Sequence, residues 1–163
     1  AKTMTLRTMA ISMLLVAAVS GRADLPRNVN DDERFKRLHS FLSERDSPMT
    51  PYASDFIRAA DLNGLDWRLL PSIAVIESSA GKHCRNQNAF GWDNGNVAFK
   101  SLRHGIHVVG NKLAISSAYR GKSTVHKLRT YNPAPRYAPA VLVVMNRIGP
   151  AVTAEKPEPV AGP

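Results

Sequence analysis

Apolar side chains recur at helical spacing along most of the chain between Phe35 and Ile148. In "DDERFKRLHSFLSERD", Phe35, Leu38, His39 and Leu42 share one face, and Asp31 and Asp32 stand near its start, where the helix dipole favours negative charge. This run predicts a helix that packs loosely on a domain or belongs to a linker. Pro48 and Pro51 in "SPMTP" then break the chain. "PYASDFIRAADLNGLD" predicts an amphipathic helix with Tyr52, Phe56, Ala59 and Ala60 on one side and Gly64 as its stop. Asp66 is a candidate N-cap for the next helix, and Pro71 belongs in its first turn, where a missing N–H is tolerated.

That next run, "LLPSIAVIESSAGK", is the most apolar of the folded part. Positions i, i+3, i+4 and i+7 share a helix face, so counting from Leu70 puts Ile73, Ala74 and Glu77 together. A carboxylate at the end of an apolar stripe is unusual, because glutamate is among the side chains least often buried without a partner. The helix is expected to stop at Gly81. Apolar residues then flank Asp93–Asn94–Gly95, a tight-turn signal that predicts a short β-hairpin or extended flap. Helical spacing returns with Leu102, Ile106, Val109 and Leu113. "STVHKLRTYN" and "YAPAVLVVMNRI" predict two more helices, separated by "NPAPR".

The ends read differently. Lys2 and Arg7 precede an apolar run over residues 9–19 and then small residues, with candidate cleavage after Gly21 or Ala23. This is the pattern of a secretory signal, and the run is shorter than the about 20 apolar residues of a membrane span. No cysteine follows it closely, which argues against a lipid anchor. The predicted organisation is a signal peptide at 1–23, a charged linker or helix at 24–50, a helical domain at 51–149 and a Pro/Ala-rich disordered tail at 150–163. A secreted or periplasmic monomer follows, with no membrane span once the signal is removed.

Composition and charge narrow the chemistry. The 163 residues are 44% hydrophobic and 21% charged, in the globular range, and only 7% are aromatic, so the core is expected to be aliphatic. Cys84 is the only cysteine, which excludes an internal disulfide. His83–Cys84 and the pair His104 and His107 each lack the further ligands a metal site needs, so no metal or cofactor is expected. The net charge of +9 is uneven. From Asp66 to Arg147 there are twelve Lys/Arg against three Asp/Glu, while the remainder holds ten of each. The excess favours a polyanionic partner. Nucleic acid and anionic cell-wall polymer both qualify on charge, but no DNA-binding motif is evident and the export signal argues against nucleic acid.

Glu77 is the candidate for chemistry. A carboxyl group on an apolar face is desolvated, the condition under which an acid can give a proton to a leaving oxygen, as glycosidic cleavage requires. The structural alternative is a glutamate bonded to backbone or to an arginine. Asp93 is the only other acidic residue downstream within the domain, 16 positions on, and either faces Glu77 across a cleft or simply begins the Asp-Asn-Gly turn.

The order "IESSAGK", "NQNAFGW" and, late, "YNP" and "RYAPAV" resembles the lysozyme-like superfamily of peptidoglycan-cleaving enzymes, and within it the glucosaminidase-type domains, with lytic transglycosylases as neighbours. The resemblance covers residues 52–148. It implies a lysozyme-like helical domain with a β flap, and an exported glycosidase that cuts β-1,4 bonds of peptidoglycan with Glu77 as general acid. On it, Ser78 matches the residue after the acid, and Asn88, Phe90, Gly91 and Trp92 match an element lining the sugar groove. Tyr131 and Tyr137 match tyrosines that approach the cleft. The Gly-Met-Gln element of many transglycosylases is missing, which favours the glucosaminidase type. Hydrolysis and the anhydro-forming route both stay open, as does a non-catalytic wall-binding module. The implied partners are peptidoglycan glycan strands and anionic wall polymers.

Overall fold

The computed structural model describes residues 31–151. The predicted signal at 1–23 and nearly all of the tail predicted at 150–163 lie outside the described residues. Six helices follow in order: α1 (Glu33–Ser43), α2 (Ala53–Asn63), α3 (Leu69–Ser78), α4 (Leu102–Ile115), α5 (Thr124–Tyr131) and α6 (Tyr137–Ile148). No helix among the described residues is long and apolar enough to cross a membrane.

Helix α3 is the hub. Leu69, Leu70, Ile73 and Ala74 are buried, and the helix packs against α2, α4 and α6. Pro71 is its third residue, inside the first turn, where no intrahelical bond is lost. Asp66 accepts from the Arg68 backbone N–H at 3.0 Å and pairs with the Arg68 guanidinium at 2.6 Å. Arg68 in turn donates to the Gly149 carbonyl at 2.9 Å, which fastens the end of α6 to the start of α3.

Helices α2 and α4 make the broadest helix–helix contact among the described residues. Small residues bring them close: a Cβ built on Gly110 would stand 3.5 Å from the Ala59 Cβ and 3.2 Å from Leu70 Cδ1. Phe56, Ile106, Val109 and Leu113 are fully buried along this seam. Gly64 ends α2 in the left-handed region at φ +58°, as an L side chain would not readily do.

Helix α1 falls within the stretch read as linker or loosely packed helix. Its Leu38 and Leu42 are fully buried, and Phe41 joins the same core. Asp32 caps it by accepting from the Arg34 N–H at 2.8 Å. The Arg34 guanidinium then crosses to Asp61 of α2 at 2.6 Å.

The structure corrects the predicted fold class in one region. No strand occurs among the described residues, so there is neither hairpin nor flap. Trp92–Gly95 is a short 3-10 turn instead, with Asp93 and Asn94 both at φ +53°. A hairpin needs flanking backbone groups free to pair across the turn. Here the buried Asn88 side chain takes them. Its amide donates to the Trp92 and Val97 carbonyls at 3.0 Å each, and its carbonyl accepts from the Trp92 N–H at 2.9 Å. The fold of the described residues is all-α, and the lysozyme-like architecture with a β element is overturned with it.

Helix α3 also stops earlier than Gly81. Ser79 and Ala80 both turn left-handed, at φ +52° and +58°. The Ala80 N–H reaches back to the Ala74 carbonyl at 3.0 Å, which closes the helix end. Glu77 is therefore in the last turn of α3, one residue before its end.

Candidate functional site

The last turn of α3 opens into a cleft of about 460 Å³, within the range of small-ligand pockets, ~300–1,000 Å³. Glu77 forms its floor and is half-buried. Gly91 lies directly against it: at φ +59°, a Cβ there would meet Glu77 Oε2 at 2.8 Å. The carboxylate and the turn can be this close only because position 91 has no side chain and tolerates the left-handed backbone.

Two tyrosines hold the floor in place. The Tyr137 hydroxyl, from the first residue of α6, donates to Glu77 Oε1 at 2.7 Å. The Tyr131 hydroxyl, from the end of α5, donates to the Phe90 carbonyl. Their rings stack with centroids 6.0 Å apart and planes 5° apart. Burial raises the pKa of both well above that of free tyrosine, with the bond to Glu77 adding at Tyr137 and the Glu77 charge adding at Tyr131. Both phenols are thus held as neutral donors.

The walls are aromatic and polar. Trp92 stands edge-on to Tyr131, with centroids 5.6 Å apart, and 6.0 Å from Tyr119 on the other side. Asp93 and Asn94 border the opening from the 3-10 turn, and Asn132 borders it from the end of α5. Glu77 and Asp93 therefore line one cleft; Asp93 is the exposed member.

The remaining sequence-derived residues lie behind the cleft. The Phe90 ring is fully buried and meets Phe56 edge-on at 6.4 Å, so its carbonyl, not its ring, faces the site. The Ser78 hydroxyl is buried, donates towards the Ala89 carbonyl at 2.7 Å, and accepts from the Gly81 N–H at 2.9 Å. Asn88 spends its whole side chain on the turn. These two residues shape the site from beneath.

Four lining residues escaped the sequence reading: Asn94, Val97, Tyr119 and Asn132. Tyr119 had a signal, since it is an aromatic in the Ser- and Gly-bounded stretch "SSAYRG", and functional side chains concentrate in such loops. Asn132 stood beside Tyr131 in "YNP".

The histidine and cysteine residues go elsewhere. His107 Nε2 lies 3.3 Å from Asp55 Oδ1, His104 packs on Phe99, and Cys84 is a free, partly exposed thiol. No group of three or more His, Cys, Asp or Glu able to hold a metal occurs among the described residues.

No protein-family model matches the chain, and no curated protein shows significant similarity to it. The motif order that suggested a glycosidase implied a lysozyme-like architecture with a β element. Among the described residues there is no β subdomain and no group of three or more His, Cys, Asp or Glu able to hold a metal, so the predicted membership, the hydrolase and glucosaminidase activity and the transglycosylase alternative do not stand. What the fold and site define is an all-helical domain with one aromatic-walled, carboxylate-floored cleft.

Proposed function

We propose that this chain is a glycan-binding domain whose cleft takes a short run of an amino-sugar strand of the bacterial cell wall. The observation that carries the reading is the convergence of Trp92, Tyr119 and Tyr131 with Glu77, Asp93, Asn94 and Asn132 on one cleft. Sugar rings offer apolar C–H faces edged by hydroxyl and amide groups. Aromatic rings complement the faces, and carboxylates and side-chain amides complement the edges. Two carboxylates in the cleft disfavour a phosphate backbone there, which argues against a nucleic-acid strand as its occupant.

The exposed surface of the domain supports a second, long-range contribution. Lys100, Lys112, Arg120, Lys122, Arg129 and Arg136 are exposed and make no ion pair with an acidic side chain among the described residues. Such a field draws the domain towards anionic wall polymer, while the uncharged strand segment occupies the cleft. The N-terminal pattern of a secretory signal supports a secreted or periplasmic location, where such a wall is available.

The test is titration with chitotetraose, measured by isothermal titration calorimetry. Saturable binding is expected, weakened about fivefold by Trp92→Ala through loss of one ring contact worth ~1 kcal/mol. Absence of saturable binding both to chitotetraose and to purified wall glycan would overturn the reading. Sedimentation with whole wall should fall with added salt, because contacts between exposed charges are screened.

A further inference from the structure

Lys127 is a buried cation without an acid. It lies on α5 with 8% of its surface exposed, and no carboxylate among the described residues pairs with it. Its ammonium donates to two backbone carbonyls, Leu113 at 2.9 Å and Tyr119 at 2.7 Å. Leu113 is in the last turn of α4, where carbonyls lack helical partners and the dipole favours positive charge. The Tyr119 carbonyl belongs to the connection between α4 and α5, the segment that carries one wall of the cleft.

The Tyr119 ring packs against the core and Ser116 bonds back to the Lys112 carbonyl of α4, but neither contact fixes the Tyr119 backbone. The connection's internal backbone bonds run from Tyr119 and Arg120 to the Ser116 carbonyl and from Lys122 to the Tyr119 carbonyl. They close turns within the segment without anchoring it to the body. The Lys122 side chain reaches Thr130 at an exposed position. Lys127 is the buried tie that joins α4, the Tyr119 turn and α5 at one point. Burial lowers its pKa, with the Lys122 charge adding to the effect, so keeping a lysine here carries a cost. An aliphatic residue of similar length would avoid that cost and lose the tie.

We propose that Lys127 is a positioning residue that holds Tyr119 at its place in the cleft wall, 6.0 Å from the Trp92 ring. The proposal rests on the cleft being the binding site, and it makes Tyr119 the route by which a residue with no access to the ligand sets affinity.

Two readouts test it. The first needs no ligand. Trp67 is buried, so acrylamide reaches chiefly Trp92, whose flank Tyr119 covers. Lys127→Met should raise quenching of the exposed component about twofold, and Lys127→Arg, which keeps the donors and the charge, should restore it towards wild type. The second is a cycle with chitotetraose. Lys127→Met should weaken binding about fivefold in the wild-type background and have no further effect once Tyr119→Ala is present. Unchanged quenching in Lys127→Met, or an equal loss of affinity in both backgrounds, would overturn the proposal. If wild type binds neither chitotetraose nor purified wall glycan, the cleft reading fails while quenching still decides the tie; if it binds wall glycan alone, the cycle is run with wall glycan. If Lys127→Met does not fold, hydrogen exchange of the wild type decides. The Tyr119, Arg120 and Lys122 amides should open together with those of α5, and independent, faster opening would overturn the tie.

Discussion

Helices α2 and α4 meet through Phe56, Ala59, Ile106, Val109 and Gly110, all buried and apolar or side-chain-free. The 79–101 stretch, which joins α3 to α4, is built another way. Nine of its backbone positions lie at positive φ: Ser79, Ala80, Gly81, Asn86, Gln87, Gly91 and the three residues of the 93–95 turn. It is held by polar staples, with Asn88 across Trp92 and Val97, Ser78 to Ala89, and Ser47 to the Ala80 carbonyl at 2.7 Å. The first region is secured by area removed from water, which is non-directional and tolerates small adjustments. The second is secured by a few directional bonds, each of which fails as a unit when its side chain is lost. The cleft stands where the two regimes meet. Its floor is the tip of a packed helix, and its rim is the stapled turn.

The largest effect should come from the packed side. Phe56→Ala removes a fully buried ring and should cost about 4 kcal/mol, with an even fall in the urea midpoint for every probe. Asn88→Ala should be next and different in kind. It frees three backbone groups in the turn and should cost about 2 kcal/mol. Hydrogen exchange should quicken between residues 88 and 97 well before the α2 and α4 amides respond. Uniform acceleration across both regions would erase the distinction.

Gly91→Ala sharpens the comparison further. The left-handed backbone should cost about 1 kcal/mol of stability. The new methyl would also press on Glu77 Oε2 and displace the carboxylate from the floor. Affinity for chitotetraose should therefore fall by more than the stability change explains, as titration calorimetry beside thermal melts would show.

The smallest effect is a pH dependence confined to the helical side. Burial pushes the Asp66 carboxyl up, but the two bonds and the charge of Arg68 outweigh it, and the net shift is downward. Asp32 is also lowered, chiefly by its bond from the Arg34 side chain. A carboxylate with a lowered folded pKa stabilises fully above its unfolded value, about 3.9, and loses that contribution as pH falls through the folded value. Stability should therefore drop below about pH 4, and less steeply in Asp66→Asn. The staples in the turn are neutral and should show no such dependence.

The helices were legible because their apolar periodicity is local and repeats. Leu70, Ile73, Ala74 and Glu77 fall on one face by counting alone, and burial then follows from a neighbour of matching character. Asp93–Asn94–Gly95 was equally visible as a turn, yet the same three residues suit a hairpin or a 3-10 turn. What separated them was Asn88, whose side chain claims the Trp92 and Val97 backbone that strand pairing would use. Phe90 shows the same limit. The resemblance placed it in a groove-lining element, while the place of Phe56 on a distant helix drew its ring into the core.

The sequence by itself therefore determined which segments are helical, where the basic charge concentrates, and that Glu77 ends an apolar stripe, since each depends on spacing within a few turns. Only the tertiary structure decided that Tyr137 grips Glu77 from 60 residues away, that Tyr119 completes the cleft, and that Lys127 ties its wall. Those are directional contacts between groups far apart in the chain. A hydrogen bond exists only when distance and angle are both met, and no local pattern encodes either.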